Sequence, residues 1–188
     1  KSGNAEDFSK VTINISNLTS PSDASRLFYV WEDSVGLVSD NNPVIKGDSS
    51  IEKFFAAKVG DTSYYTTLAD AITAASSGDT VTLLKDVTTN VTIPAGKTIT
   101  LDLNGKTLNG GKNNGNAALL NKGTVTIKDS SATKTGTIKR EDDADKTGTS
   151  YYVIKNLGTM TIEQANVINN SGYKKTNPSG SMVGSSLI

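Results

Sequence analysis

The chain has 188 residues, and its 19 Lys and Arg balance 19 Asp and Glu, so the formal net charge is zero. It contains no His and no Cys, which excludes disulfides, zinc–thiolate sites and catalysis by a His base or a Cys nucleophile. The neutral balance argues against nucleic-acid binding, and no apolar run approaches the ~20 residues of a membrane span.

The sequence of residues 1–55 predicts that they form a small β-rich segment. Residues 11–15 alternate as a strand, and residues 27–31 form the most apolar run and contain the single Trp of the chain. The rings of Tyr29 and Trp31 are candidates for stacking on a sugar, and the alternative is burial in a core strand, where large aromatics usually lie. We expect this segment to be a small domain or an extension of a cap.

One helix is predicted over residues 67–77. Its apolar face consists of four residues at helical spacing: Leu68, Ala71, Ile72 and Ala75. Thr67 with Asp70 three residues later resembles a capping box, and Gly78 suits the left-handed position after a helix end. Because the helix precedes the first repeat, we expect it to cover the N-terminal end of a stack of strands.

A repeated pattern follows the helix: Gly, an optional residue, then Thr–apolar–Thr–apolar. It occurs four times, in strands that begin at Thr80, Thr98, Thr124 and Thr159. Alternation with period two places the apolar residues on one face and the Thr residues on the other. A second short strand precedes each of the last three, and a third strand follows it.

Three short strands per unit predict triangular coils, which stack as a parallel β-helix over residues 56–188. The helix at 67–77 caps this stack, and the fold class is all-β. The alternative is a β-sandwich, whose tight hairpin turns Asn104-Gly105 and Asn109-Gly110 could supply.

Two stretches resemble a known family. Residues 65–83 resemble the N-terminal entry of pectate-lyase-like right-handed parallel β-helices, and residues 87–110 are similar to repeats of secreted or wall-attached bacterial surface and adhesion proteins. The resemblance covers roughly residues 56–188 and implies a right-handed β-helix. It implies no single activity, because this fold hosts lyases, hydrolases, esterases, phage tailspikes and passive adhesins.

An acidic run offers candidate Ca²⁺ ligands: Glu141, Asp142, Asp143 and Asp145. The run lacks the Gly and the distal Glu of an EF-hand loop, which favours a solvated loop instead. Arg140 adjoins the run, and we expect it to form a surface ion pair there.

Catalysis on a sugar bond requires two carboxylates on opposite sides of that bond. The repeat region offers Asp102, Asp129 and Glu163, which occur singly and at different offsets. We therefore expect no catalytic residues and no cofactor.

The Thr pairs at 80/82, 98/100, 124/126 and 159/161 predict stacked rows on one sheet. Such rows resemble the ice-binding face of insect antifreeze β-helices, which requires flat and regular spacing. The unit lengths vary here, so we expect the rows to stabilise strand packing.

We expect a non-enzymatic extracellular or surface-attached protein, acting as a stalk or as an adhesion or glycan-binding module. Its expected partners are a glycan or a host or cell-surface protein. The alternatives are a carbohydrate-active enzyme whose catalytic part lies beyond this fragment, and a phage tail-fibre module. Leu187-Ile188 matches Leu119-Leu120, so we expect the repeat to be truncated at residue 188 and its open C-terminal coil to associate.

Overall fold

A computed structural model describes residues 12–19, 44–111, 116–141, 152–170 and 188. Within these residues the protein is mostly β-structure, and most strand pairs are parallel. The helical elements among them are a 3₁₀ helix over Ser49–Phe54 and one α-helix, α1 (Leu68–Ala74).

The described strands form three sheets. The first sheet contains, in spatial order, β1 (Thr12–Ile15), β2 (Val44–Gly47), β4 (Ser63–Tyr65), β3 (Ala57–Val59), β5 (Thr80–Leu83), β8 (Thr98–Asp102), β11 (Thr124–Lys128) and β14 (Thr159–Ile162). The second contains β7 (Val91–Ile93), β10 (Leu119–Asn121) and β13 (Ile154–Asn156). The third contains β6 (Val87–Thr88), β9 (Thr107–Asn109), β12 (Thr137–Arg140) and β15 (Asn166–Asn169).

From β7 onward the chain visits the second, first and third sheets in turn, and then repeats this order. We call each such run a coil. The first coil contains β5 in the first sheet and β6 in the third sheet. The second coil consists of β7–β9, the third of β10–β12 and the fourth of β13–β15. Strands of successive coils pair in parallel in all three sheets, which is compatible with a β-helix and unlike the antiparallel hairpins of a sandwich.

The core is a set of aliphatic columns that run across the coils. In the first sheet Val81, Leu101 and Ile127 stand in register, and each is fully buried. The second and third sheets contribute comparable columns, such as Leu119 against Ile154 and Leu108 against Ile138. Burial of each such side chain contributes about 1.5–3 kcal/mol, so the thin apolar stripes sum to a continuous core.

The predicted helix is confirmed, although it spans Leu68–Ala74 and is shorter than expected. Thr67 is its N-cap, and the Thr67 Oγ1 accepts a hydrogen bond from the Asp70 N–H at 3.1 Å. The helix ends because Ala75 adopts an extended backbone, with ψ of 134°. Its buried face contacts β3, β4, β5 and β7, so α1 lies at the outer edge of the second sheet, beside β7.

The segment before α1 joins the same first sheet. β2 pairs with β4, and β4 pairs with β3 in antiparallel hairpin fashion. A second apolar cluster forms here from Ile45, Ile51, Phe55 and Tyr64. Tyr64 lies opposite Lys58 in the hairpin and therefore faces away from the main core, so this cluster covers part of the sheet's outer face.

Candidate functional site

The outer face of the first sheet carries rows of polar residues. One row contains Thr80, Thr100, Thr126 and Thr161, and the adjoining row contains Thr82, Asp102 and Lys128. The predicted rows are correct from the second coil onward. The first coil is displaced by two residues, because Thr80 pairs with Thr100 and not with Thr98.

A polar groove of about 620 Å³ opens where this face meets the 3₁₀ helix and the β3–β4 hairpin. Its lining includes Thr82, Asp102 and Lys128 of this face, together with Glu52 and Lys58. Gly60, Asp61, Asp79, Asn104 and Ser130 are among the remaining lining residues. We call this feature the polar groove.

Both lysines of the polar groove have carboxylate partners. The Lys58 Nζ lies 2.8 Å from Glu52 Oε1, and the Lys128 Nζ lies 3.8 Å from Asp102 Oδ2. These charges, together with the Thr hydroxyls, supply both hydrogen-bond donors and acceptors. Such an array suits a hydroxyl-rich ligand better than a strongly charged one.

Asp102 uses its side chain to hold backbone. Its Oδ1 accepts hydrogen bonds from the N–H groups of Asn104 and Ser130, both at 2.9 Å. Ser130 belongs to the following coil, so this carboxylate ties two coils together where the chain leaves the first sheet. Asp102 is also buried, which limits its access to a ligand.

Asp129 lies at the same corner one coil later, one residue beyond Lys128, which is the register partner of Asp102. Its Oδ1 accepts from the Gly105 and Ser131 N–H groups at 2.8 and 2.9 Å, and its Oδ2 accepts from the Gly136 N–H at 2.6 Å. Burial alone would raise the pKa of Asp129, but hydrogen bonds from Ser131, Gly136 and Gly105 outweigh it and lower the pKa to about 2. A carboxyl with that pKa is a poor general acid or base near neutral pH.

The candidate Ca²⁺ ligands fall mostly outside the described residues. Asp142, Asp143 and Asp145 lie there, whereas Glu141 is half-buried, accepts from Asn109 Nδ2 at 2.6 Å and pairs with Lys139 at 2.9 Å. Across the part of the chain that the structure describes, no three His, Cys, Asp or Glu residues are grouped to hold a metal ion. The calcium site therefore stays a prediction.

The candidate sugar platform, Tyr29 and Trp31, also lies outside the described residues. Stacking of these rings on a sugar likewise stays a prediction.

The expected surface position of Arg140 is wrong, because only 1% of this residue is exposed. Arg140 alternates with Ile138 along β12, so both point to the buried side. That alternation is visible in the sequence and would have placed Arg140 inside.

The sequence did not predict that Glu52 and Lys58 line the polar groove. Glu52 and Lys58 precede the repeat, and antiparallel pairing of β3 with β5 is what sets Lys58 beside Thr82. No local sequence signal indicates that pairing.

A scan against protein-family models, a search of curated proteins and a search of solved structures each returned no match. Of the helices in the described ranges, none combines the length and apolar character needed to cross a membrane.

Proposed function

We propose that this chain is a right-handed, pectate-lyase-like parallel β-helix from an extracellular bacterial surface protein, and that it serves as a non-enzymatic stalk and adhesion module. The observation that carries the proposal is that the carboxylates of Asp102 and Asp129 accept hydrogen bonds from backbone amides and so stabilise the fold. The expected ligand is a neutral glycan or a hydroxyl-rich protein surface, and the polar groove is its binding site.

The state of the carboxylates argues against sugar-bond cleavage. A glycosidase keeps one carboxyl protonated near neutral pH and places a second across the bond. Asp129 has a pKa of about 2 and accepts three backbone hydrogen bonds, and Asp102 accepts two. Both Asp129 oxygens and the Asp102 Oδ1 accept from the protein's own amides, and the Asp102 Oδ2 pairs with Lys128, so these carboxylates support the scaffold rather than a reaction.

The polar groove supports the binding part of the proposal. It is concave and lies beside the half-buried Thr80, Thr100 and Thr126 of the outer face. Hydroxyl and amide groups such as Thr82 and Asn104 can exchange hydrogen bonds with sugar hydroxyls, and Lys128 can donate to them.

Binding of the purified chain to a panel of neutral oligosaccharides tests the proposal. Lys128→Ala removes a donor from the polar groove and should weaken binding about tenfold. Lys155→Ala, which changes an exposed strand lysine of the second sheet, is the matched control and should bind like the parent.

Three results would overturn the proposal. Release of shortened sugars, seen by mass spectrometry, would favour the carbohydrate-active enzyme. A stable trimer in light scattering would favour a tail-fibre module. Equal loss of binding in both lysine variants would place the ligand elsewhere.

A further inference from the structure

We propose that the edge formed by β13 and β14, with which no other described strand pairs, is a docking site for one further parallel coil that carries the sequence apolar–apolar–Asn–x–Gly–Thr. The proposal rests on the β-helical architecture proposed above and is independent of glycan binding. It commits to a coil of this chain's own repeat type as the occupant.

An asparagine ladder gives the first reason. The Asn121 Nδ2 donates to Asn156 Oδ1 at 2.7 Å and to the Thr159 main-chain oxygen at 3.0 Å, both in the next coil. Asn121 is fully buried by this stacking. Asn156 repeats the arrangement one coil later, because its own Oδ1 accepts from the Gly158 N–H at 3.3 Å. Its amide is placed to donate to an Asn and a Thr of a following coil.

The glycines of the same corner give the second reason. A Cβ on Gly123 would lie 2.5 Å from the Pro94 main-chain oxygen, and one on Gly158 would collide with the Gly123 main-chain oxygen. Each corner therefore rests directly on the carbonyl of the corner before it. The Gly158 carbonyl could be contacted in the same way by a glycine of a following coil. A residue with a side chain at that position would collide with it.

Exposure gives the third reason. The residues at equivalent positions, Ile99 and Val125, are buried, whereas Met160 in the fourth coil is only half-buried. Asn156 is exposed, whereas its register partner Asn121 in the third coil is fully buried. In the described part of the chain, no strand pairs with the outer edges of β13 and β14.

The outer edge of β14 presents backbone hydrogen-bonding groups at alternate residues. The N–H groups of Thr159 and Glu163 donate back to Gly123 and Ile127 of the third coil. Because bonding alternates along a parallel strand, the intervening Met160 and Ile162 amides point to the open side. A second copy meeting this edge about a two-fold axis would present antiparallel strands and could not place its glycine over Gly158.

The test tethers a copy of residues 117–129 to the C-terminus of the full chain. A Gly/Ser linker of about 20 residues spans ~25 Å and holds the copy at roughly millimolar effective concentration. Amide hydrogen exchange of Met160 and Ile162, followed by NMR, is the measurement. We expect exchange of both amides to slow at least about tenfold, with no change at Thr124, which already bonds to Lys97.

Two altered copies provide matched controls. Gly123→Val within the copy should abolish the protection, because its side chain meets the Gly158 carbonyl, and Asn121→Ala should reduce it. Absence of protection by the unaltered copy, or equal protection by the Gly123→Val copy, would overturn the proposal. The proposal would also be overturned if the chain without the tethered copy formed a dimer in which the Met160 and Ile162 amides were protected. None of these readouts depends on glycan binding or turnover, so failure here is distinguishable from failure of the proposed function.

Discussion

Single aspartates hold the corner between the first and third sheets. The Asp86 Oδ1 accepts from the Thr107 N–H at 2.8 Å, so this carboxylate reaches into the following coil as Asp102 does. Asp129 reaches in the opposite direction, to the Gly105 N–H. Charge-assisted hydrogen bonds of this kind are stronger than neutral ones, and they satisfy amides that leave the strand ladders.

Stability should therefore depend on pH through Asp129. Its pKa is about 2 in the folded protein, below the 3.8 of an unperturbed aspartate, so the ionised carboxylate favours folding. That contribution is fully present above about pH 4 and is lost as the pH falls towards 2. We expect the free energy of unfolding, measured by urea titration, to fall over this window, and to fall less in Asp129→Asn. Identical pH profiles for the two proteins would contradict this assignment.

Close packing at Gly136 gives a second prediction. A Cβ there would lie 2.7 Å from Leu103 Cβ and 2.8 Å from Asp129 Oδ2, so Gly136→Ala should destabilise the protein by about 2–4 kcal/mol. Gly96→Ala is the control: it has open space but a φ of +78°, and should cost only about 1 kcal/mol. Thermal unfolding of the two variants shows which substitution destabilises the protein more. A smaller loss of stability for Gly136→Ala than for Gly96→Ala would contradict the prediction, because it would mean that the backbone around Gly136 shifts to accommodate the Cβ.

At the scale of elements, α1 is too short to be stable alone. Its N-terminus is capped by Thr67, and its C-terminus is held by Lys97, whose Nζ donates to the main-chain oxygens of Thr73 and Ala75 at 2.9 and 2.6 Å. Lys97 lies at the start of the second coil's strand in the first sheet. The helix is thereby fastened to the repeat at its end as well as along its buried face.

Removing the lysine should loosen the helix. Lys97→Met keeps most of the side-chain volume but loses both hydrogen bonds and the favourable charge at the helix end, at a cost of about 1–2 kcal/mol. Lys155→Met, on the exposed side of β13, should leave the free energy of unfolding almost unchanged. Urea denaturation of both variants is the measurement, and equal effects would mean that Lys97 does not support α1.

The buried face of α1 can be tested separately. Ile72 is 1% exposed, so Ile72→Asp buries an unpaired charge and should abolish cooperative unfolding or cause aggregation. Ala74→Asp on the exposed side should change the melting temperature little. If circular dichroism melting of Ile72→Asp matches that of the parent, α1 does not cover the core.

Helix and repeat strands could be predicted because both rest on local periodicity and on Thr and Gly at fixed offsets. The register of the first coil could not, since a shift by two residues preserves the inside–outside alternation. The polar groove could not be predicted from the sequence either. Glu52 and Lys58 come from a segment without repeats, and they lie near Thr82 only because β3 pairs with β5 in the folded protein.

At the scale of the molecule, one sheet serves two purposes. The inner face of the first sheet supplies columns to the core, and its outer face carries the Thr rows, the polar groove and the second apolar cluster. Parallel, in-register stacking of the coils makes this possible, because it repeats each side-chain position from coil to coil.

Disulfide formation between neighbouring coils tests that stacking most directly, since the chain contains no Cys to interfere. Thr100 and Thr126 are register partners on adjacent strands, which lie about 4.8 Å apart and within the reach of a disulfide. Thr98 lies two residues out of register with Thr126, at roughly 8 Å.

Under mild oxidation, Thr100→Cys with Thr126→Cys should form an intramolecular disulfide, seen as the loss of the mass of two hydrogen atoms. Thr98→Cys with Thr126→Cys should stay reduced. Failure of the first pair, or equal cross-linking of both, would contradict parallel in-register coils.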